Sequence, residues 1–438
     1  MQFGVFYEHQ IPRPWREGDE QRLYNEALEQ VELADRLGIE YAWEVEHHFL
    51  EEYSHSSAPE VFLAACSQRT KNIRLGHGIV LMPPTYNHPA RVAERIATLD
   101  LVSNGRVEWG TGESSSRIEL EGFGVNPEQK QEMWLETVRE SAKMMASDPY
   151  PGYKGKYFSM PHRNVIPKPV QKPHPPLWVA CSNRETIRLA AKLGIGALAF
   201  TFVDPQEASK WVDTYYTTFK NECEPIGRAV NPQVAMVTGF MCHEDHKVAV
   251  DRGSEGFQFF AYALGHYYLT GTHVPSELNV WEDFQRHGPQ ERESSTAIGD
   301  PGHISRNLEQ FEEAGVDQVV FVQQAGNNLH QHICESLEIF ADQVLPDFKK
   351  RHEISAQRKA EELGPHIEMA MGRIPPLIKM DKIPPVDAYP VLMKKLGIKT
   401  EEWPPKGTTL LEYLGAARKR QEEQPYDVAQ DRSPSDGS

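Results

Sequence analysis

The chain has 438 residues, of which 39% are hydrophobic, so it can bury a substantial core as one large domain with an appendage or as two ordinary domains. Its 46 Lys and Arg residues are outnumbered by 63 Asp and Glu residues, and the net charge of −17 argues against a nucleic-acid partner or an anionic membrane surface. No stretch approaches the roughly 18 uninterrupted apolar residues that a membrane helix needs.

Cysteine usage and the N-terminal segment indicate the compartment. The five cysteines are isolated from one another and lack Cys-x-x-Cys spacing, which predicts reduced thiols and no structural zinc site. The first residues lack the basic region and the long apolar run of a signal peptide. We therefore expect a cytoplasmic protein.

Apolar, strand-like runs alternate with amphipathic helical stretches from the first residues onward. Strands are predicted near residues 3–7, 41–48, 73–81, 106–110, 177–180, 196–200, 234–242 and 318–322. Helices are predicted near residues 20–36, 59–70, 88–101, 127–146, 183–194, 205–222, from 243 onward, 301–314 and 331–348. This α/β alternation predicts a (β/α)8 TIM barrel with insertions, because a doubly wound open sheet usually has about five or six strands.

Two stretches interrupt the alternation and a third follows it. The proline-rich segment 148–176 cannot be helical and is interpreted as an excursion across one face of the barrel. An aromatic and glycine-rich insertion extends to about residue 297. Beyond a barrel domain of residues 1–350, we expect a charged, Pro-containing C-terminal extension over 351–438, with short helices near 354–371 and 408–422 and a disordered end.

The second predicted strand ends in Glu46, His47 and His48. In a TIM barrel the loops after the C-terminal ends of the strands build the active site. Two imidazoles beside a carboxylate, held where a strand ends, would provide proton transfer near neutral pH. The alternative is a surface turn or a packed polar pair without a catalytic role.

Three other strands carry small or polar residues that should converge on the same rim. They are His77, Gly78 and Ile79 in the third strand, Gly112 and Glu113 after the fourth, and Ser182, Asn183 and Arg184 after the fifth. The last group opens a helix, where free backbone N–H groups and positive charge would bind a phosphate, although simple N-capping explains it as well. The Gly110-x-Gly112 pair lacks the third glycine of a dinucleotide fingerprint, which favours a mononucleotide cofactor.

Four stretches in this order resemble a known family. They are EHHF at 46–49; GIVLMP at 78–83 with NHPAR at 87–91; SNGRVEWGTG at 103–112; and QKPHPPLWVA at 171–180. On these motifs, residues 1–350 resemble the bacterial luciferase-like family of flavin-dependent monooxygenases. The resemblance implies a barrel, reduced FMN (FMNH2) as the working cofactor, and activation of O2 as a flavin hydroperoxide.

The resemblance also implies roles for individual residues. His47 matches the family's catalytic histidine, with Glu46 and His48 around it. The strand through His77, Gly78 and Ile79 matches the one that carries a non-proline cis peptide bond beneath the flavin ring, and Ser182 matches a position that contacts the FMN phosphate. Where luciferases have a Cys-Arg pair this chain has Gly112-Glu113, so Arg184 is expected to replace the missing phosphate arginine.

We therefore predict an FMNH2-dependent, two-component monooxygenase that acts on a small, largely apolar organic substrate. A separate NAD(P)H:flavin reductase is the expected partner, since no dinucleotide site is evident, and family members commonly form homodimers. The aromatic segment 257–268 is a candidate lid that would exclude water. A deazaflavin-dependent dehydrogenase on the same barrel is the first alternative.

A metal-dependent barrel hydrolase with Glu46, His47 and His48 as ligands is the second alternative. Adjacent histidines project poorly toward one tetrahedral centre, and we expect no metal.

Overall fold

The computed structural model describes residues 1–200, 202–292 and 295–386, together with residues 412, 415 and 419. Within these residues, eight parallel barrel strands alternate with helices, and two further short strands, Val80–Leu81 and Ala297–Gly299, join the same sheet. The strands are β1 (Gln2–Tyr7), β2 (Tyr41–Glu44), β3 (Arg74–His77), β4 (Val107–Gly112), β5 (Leu177–Cys181), β6 (Gly196–Ala199), β7 (Val234–Cys242) and β8 (Gln318–Val322). The helices are α1 (Asp19–Leu37), α2 (Pro59–Arg69), α3 (Pro89–Val102), α4 (Arg117–Gly122), α5 (Lys130–Ala146), α6 (Arg184–Lys192), α7 (Pro205–Glu222), α8 (His246–Gly265), α9 (Val280–His287), α10 (Pro301–Glu313), α11 (His330–Gln343) and α12 (Leu345–Gly372).

The strands pair in chain order and the sheet closes on itself. The first strand is in register with the second through Val5 and Ala42, and with the last through Val5 and Phe321. Every pairing around the barrel is parallel. The predicted (β/α)8 TIM barrel is therefore confirmed, and all eight C-terminal strand ends lie at one rim.

Alternate residues along each strand face the barrel interior or the surrounding helices. Phe6, Trp43 and Trp178 belong to the interior cluster, whereas Tyr7 packs in the layer beneath the helices. A Cβ atom at Gly76 would lie 2.2 Å from the Trp43 ring, so the interior indoles require a glycine on the neighbouring strand. These large side chains fill the barrel and leave the rim as the place for function.

The third predicted strand, 73–81, is divided into two strands at Gly78 and Ile79. After β3, a two-residue strand, Val80–Leu81, pairs with β4, and the Gly78 N–H donates to the Glu44 carbonyl at 2.6 Å. The cis peptide bonds within the described residues all precede proline, so the expected non-proline cis bond next to Gly78 is absent. A non-proline cis bond costs about 3 kcal/mol, and this turn is made without one.

The insertions contain structure that the sequence did not predict. The proline-rich segment folds into an antiparallel hairpin of Tyr150–Lys154 and Ser159–Arg163. The short helix α4 follows β4, and a π-helical turn, His266–Thr270, continues α8. The hairpin lies outside the barrel sheet, whereas α4 and the π-helical turn both reach the C-terminal rim.

The predicted boundary at residue 350 falls inside a long helix. The helix α12 continues to Gly372, and the Lys359 ammonium contacts Asp317 at 2.6 Å while the Arg351 guanidinium contacts Glu312 at 2.6 Å. The chain divides into two compact units, Met1–Ile378 and Lys379–Ser438.

Beyond residue 386 the structure describes positions 412, 415 and 419, so most of the predicted helix over 408–422 and the predicted disordered end lie outside the described residues. Among the described helices, none is long and apolar enough to cross a membrane.

Candidate active site

His47 lies just beyond β2 at the C-terminal rim of the barrel, between two carboxylates. Its Nδ1 is 3.0 Å from Glu119 Oε1, and its Nε2 is 3.6 Å from Glu8 Oε2 and 3.2 Å from the Tyr268 hydroxyl. Burial alone would lower the pKa of His47, but the charges of Glu8 and Glu119 outweigh it and raise the pKa to about 9. The imidazole therefore carries a positive charge at neutral pH.

Glu119 is the carboxylate that anchors this histidine. Its side chain is fully buried, and it accepts hydrogen bonds from His47, from the His48 backbone N–H at 2.8 Å and from the Ser114 hydroxyl at 2.5 Å. Burial opposes ionisation, but these donors and the His47 charge outweigh burial and lower the pKa of Glu119. Glu119 therefore remains ionised inside the protein.

Glu8 follows β1 and faces the other ring nitrogen. Its Oε1 accepts a hydrogen bond from the Tyr53 hydroxyl at 3.0 Å, while Oε2 accepts none within the described residues. Burial raises the pKa of Glu8 to about 7, although His47 and Tyr53 act in the opposite direction. Glu8 can therefore hold or release a proton near neutral pH.

Glu46 and His48 lie beside His47 and are held by other contacts. Glu46 accepts hydrogen bonds from the Leu81 backbone N–H at 2.7 Å and from the Asn87 amide at 2.8 Å, and lies 3.3 Å from His48 Nε2. The charge of Glu46 helps to raise the pKa of His47, whereas the carboxylate in direct contact with His47 Nδ1 is Glu119, so a catalytic role for Glu46 and His48 stays a prediction. The His48 ring packs edge-on against Phe123.

His77, Gly78 and Ile79 reach the rim by their backbone. The His77 side chain is buried on the outer face of β3, the face it shares with Leu75, so a cofactor in the barrel mouth would meet its backbone and not its imidazole. The Ile79 side chain covers Gly112, where a Cβ atom would lie 2.3 Å from the isoleucine Cδ1. This close contact explains the glycine at the end of β4.

Glu113 forms an ion pair with Lys130, whose ammonium lies 3.1 Å from the Glu113 carboxylate. The same ammonium donates to the Ser114 carbonyl at 2.6 Å. Glu113 and Lys130 therefore anchor the loop that carries Ser114. Glu113 lies directly after β4, as the sequence predicted.

Ser182, Asn183 and Arg184 stand at the N-terminus of α6, on the same rim as His47. Asn183 caps the helix by accepting from the Thr186 N–H at 3.0 Å, and the Ser182 and Asn183 N–H groups donate to the Thr186 hydroxyl. The Arg184 guanidinium donates to Glu207 at 2.7 Å. Capping thus occurs here, and a phosphate would have to share Arg184 with a carboxylate.

The aromatic segment 257–268 covers His47. Phe260 and Tyr267 lie against the Tyr53 ring, and Tyr268 meets the His47 ring edge-on with centroids 6.0 Å apart. Tyr268 therefore shields one side of His47, and the water-excluding role of the segment stays a prediction.

Sequence reasoning missed Glu8 and Glu119. Glu8 directly follows the first strand, so the strand-end rule that selected His47 could have selected it too. Glu119 lies in α4, a short helix without a clear periodic signal.

Glu46, His47 and His48 do not converge on a common point, because Glu46 and His48 pair with each other while His47 pairs with Glu119. Within the described residues, no group of three or more His, Cys, Asp and Glu side chains could hold a metal ion.

The sequence model of luciferase-like monooxygenases matches residues 1–318. The chain belongs to this family. The predicted enzyme class, a flavin-dependent monooxygenase, is confirmed at this level. This chain is 24% identical over 361 residues to the oxygenase component of the flavin-dependent trigonelline monooxygenase of Acinetobacter baylyi. The aligned residues cover 80% of this chain and 96% of that protein. It is 35% identical to the uncharacterized protein y4wF of Sinorhizobium fredii, but spans only about half of that protein, 49%, and 40% of this chain.

Solved structures share the fold of this luciferase-like protein. The oxygenating constituent of 3,6-diketocamphane monooxygenase from Pseudomonas putida, in complex with FMN, superposes with a TM-score of 0.61 at 18% identity, covering 79% of this chain and 98% of that one. An F420-dependent secondary alcohol dehydrogenase superposes with a TM-score of 0.59 at 19% identity, covering 78% and 98%. The fold therefore accommodates both a flavin and a deazaflavin.

The rim of this luciferase-like barrel fits a flavin mononucleotide in its chemistry. The exposed N-terminus of α6 stands on the same rim as His47, and a helix N-terminus suits a phosphate. Ser182, Asn183 and Arg184 are the residues that would hold the phosphate of the cofactor. The glycines Gly78 and Gly112 are covered by the side chains of Phe6 and Ile79, and their predicted contact with the cofactor stays a prediction.

Proposed function

We propose that this protein is an FMNH2-dependent, two-component monooxygenase that uses O2 to oxygenate a small, largely apolar organic substrate. The observation that carries the proposal is the position of His47, a half-buried imidazolium between two buried carboxylates on the rim that also bears the α6 N-terminus. The relative named as an oxygenase component, which matches most of both chains, supports the same function. The predicted homodimer and cytoplasmic location stay predictions.

The cofactor, when bound, supplies the reaction with O2, and the protein supplies protons and shelter. His47 holds a proton at Nε2, the nitrogen farther from Glu119, and can donate it to the substrate. Tyr268 lies against the His47 ring, and Phe260 and Tyr267 pack against the neighbouring Tyr53, so aromatic rings shield part of this position from water. General acid catalysis at a partly shielded rim is the role that these residues can perform.

The rings around the two histidines indicate the substrate class. Tyr53 and Tyr268 flank His47, and Phe123 and Tyr86 flank His48. Aromatic walls with a few polar tips bind apolar ligands and orient them through one polar group. A cyclic or aromatic substrate with a single oxygen or nitrogen function suits this lining.

A separate flavin reductase would supply the reduced cofactor. Purified protein with FMN and NADH should turn over poorly, and addition of an NADH:flavin reductase should start oxygen uptake and the formation of products heavier by one oxygen atom. The assay is a substrate panel read by mass spectrometry, with ¹⁸O2 as the label. Robust oxygenation with neither reductase nor chemical reductant would contradict the proposal.

A deazaflavin-dependent dehydrogenase is the second candidate, since an F420-dependent dehydrogenase shares the fold. Titration with F420 and with FMN separates the two. Tight F420 binding, with reduction of F420 by an alcohol and no oxygen uptake, would favour the dehydrogenase.

A further inference from the structure

The two nitrogens of His47 meet two carboxylates of different character. Glu119, the carboxylate at Nδ1, is held by three hydrogen-bond partners. It contacts the His47 ring and also accepts from the His48 backbone N–H and the Ser114 hydroxyl, so its position is fixed from three directions. A carboxylate held in this way fixes the orientation of the imidazole that it binds. The Nδ1–H bond is therefore committed to Glu119, which leaves Nε2 for proton exchange.

Glu8, the carboxylate that faces Nε2, has one oxygen without a hydrogen-bond donor within the described residues. Glu8 Oε2 lies 3.6 Å away, is buried, and accepts no hydrogen bond within the described residues, while Oε1 is held by the Tyr53 hydroxyl. The Tyr268 hydroxyl reaches the same nitrogen at 3.2 Å. An oxygen atom of Glu8 is thus aimed at the exchanging nitrogen and free to give or take a proton.

The remaining charged groups near His47 are committed elsewhere. Glu46, which also acts on the imidazole through its charge, is bound to Leu81 and Asn87 and paired with His48. Tyr53 and Tyr268 stay neutral because burial raises the pKa of each well above its usual range. Glu8 and Glu119 are therefore the two groups that decide the charge of His47.

We propose that Glu119 and Glu8 are the positioning residues of His47, Glu119 by fixing Nδ1–H and Glu8 by returning a proton to Nε2. This inference rests on the proposed function. In the resting site the Glu8 carboxylate faces the His47 imidazolium. After Nε2–H has given its proton to an oxygen or nitrogen of the substrate, the neutral imidazole no longer holds Glu8 ionised, and Glu8 takes a proton from solvent. The Glu8 carboxyl O–H bond then breaks as a new N–H bond forms at Nε2, which restores the carboxylate and the imidazolium.

The activity test compares Glu119→Gln, Glu119→Asp and Glu8→Gln over pH 6 to 10, with Glu222→Gln, an exposed carboxylate at the C-terminal end of α7 that pairs with Arg188, as a charge-matched control. Because an acid must be protonated, turnover of the wild type should fall as pH rises through about 9. In Glu119→Gln this fall should move at least about one pH unit lower, since the imidazolium loses a charged partner. Glu119→Asp should restore most of the shift, and Glu8→Gln should lower kcat about tenfold with little change in KM.

A second measurement needs neither cofactor nor turnover. In protein labelled with ¹⁵N-histidine, the His47 ring nitrogens, identified by their loss in His47→Asn, should both be protonated at pH 7.5. In folded Glu119→Gln the ring should be neutral above about pH 8. Identical His47 shifts and pH profiles in wild type, Glu119→Gln and Glu8→Gln would overturn the inference. If the wild type does not oxygenate any substrate but the His47 ring nitrogens titrate as expected in wild type and Glu119→Gln, the proposed function alone is contradicted.

Discussion

Two histidine–carboxylate pairs near the ends of the first two strands have the same separation and different charge states. His47 Nδ1 lies 3.0 Å from Glu119, and His9 Nε2 lies 3.0 Å from Glu44, with both carboxylates fully buried or nearly so. Glu119 and Glu8 raise the pKa of His47 to about 9. Burial lowers the pKa of His9 to about 3 and raises that of Glu44 well above its usual range.

The difference lies in the neighbours of each pair. Glu119 accepts from two further donors and shares its histidine with Glu8, whereas Glu44 accepts from the Ser56 hydroxyl alone within the described residues. His9 lies among aromatic rings, and its approach to Glu44 lacks hydrogen-bond geometry. A separation of 3.0 Å therefore does not define an ion pair: donors and a second charge are needed to offset desolvation.

The largest effect should come from removing the charged histidine. His47→Asn should lower turnover about a hundredfold or more, because a general acid contributes that much. The matched control is His246→Asn, which removes a half-exposed histidine paired with Asp300 at 2.9 Å and should leave turnover unchanged. Initial rates of oxygen uptake with a flavin reductase measure both. Wild-type turnover in His47→Asn would remove the proposed role.

The two carboxylates should differ strongly when each is replaced by its neutral isostere. Glu119→Gln should lower the free energy of unfolding by about 3 kcal/mol at pH 7.5, because it removes a fully buried charge and leaves the His47 imidazolium partly unpaired. Glu44→Gln should cost less than about 1 kcal/mol, since Glu44 is already neutral. Since the pKa of Glu119 is lowered by folding, its contribution is present above the usual glutamate pKa and should diminish as pH falls below it. Urea unfolding at pH 7.5 and pH 4 gives both numbers, and equal costs for the two variants would refute the comparison.

Acid should destabilise the protein through its buried neutral histidines. Burial lowers the pKa of His9 to about 3 and those of His77 and His174 to about 4. Each group binds more protons when unfolded between its folded pKa and about 6.5, so stability is complete above pH 6.5 and declines as pH falls toward 4. We expect His9→Gln to reduce the slope of Tm against pH in this window. A slope identical to that of the wild type would contradict the neutral state of His9.

The smallest effect should come from a histidine–carboxylate pair whose carboxylate is exposed. His55 Nδ1 lies 2.7 Å from Glu20, whose side chain is 71% exposed. Glu20→Gln should change the free energy of unfolding by at most about 0.5 kcal/mol, because solvent screens the pair. Thermal unfolding in low and high salt measures it. A cost near that of Glu119→Gln would show that burial is not the deciding factor.

The barrel could be predicted from sequence because its strands and helices follow clear periodic patterns. The eight strands, the break in the strand over 73–81 and the place of His47 all follow from local patterns and the strand-end rule. The hairpin Tyr150–Lys154 and Ser159–Arg163 and the π-helical turn His266–Thr270 were not predicted, because prolines and aromatic runs do not specify one conformation.

The partners of His47 could not be predicted in the same way. Glu119 is 72 positions from His47 in the chain, in a six-residue helix, and Tyr268 is 221 positions away. Such contacts depend on how loops fold over the rim. The sequence indicated that a histidine at the end of the second strand transfers the proton. The charge state of this histidine, His47, depends on residues distant in the chain.

The central claim is that His47 is charged and His9 neutral in the same molecule at the same pH. Titration of both ring systems by ¹⁵N NMR from pH 4 to 10 in the wild-type protein tests it most directly. The account predicts that His47 loses its proton near pH 9 while His9 stays neutral down to the lowest pH at which the protein is folded. Titration of both histidines near pH 6.5 would contradict it.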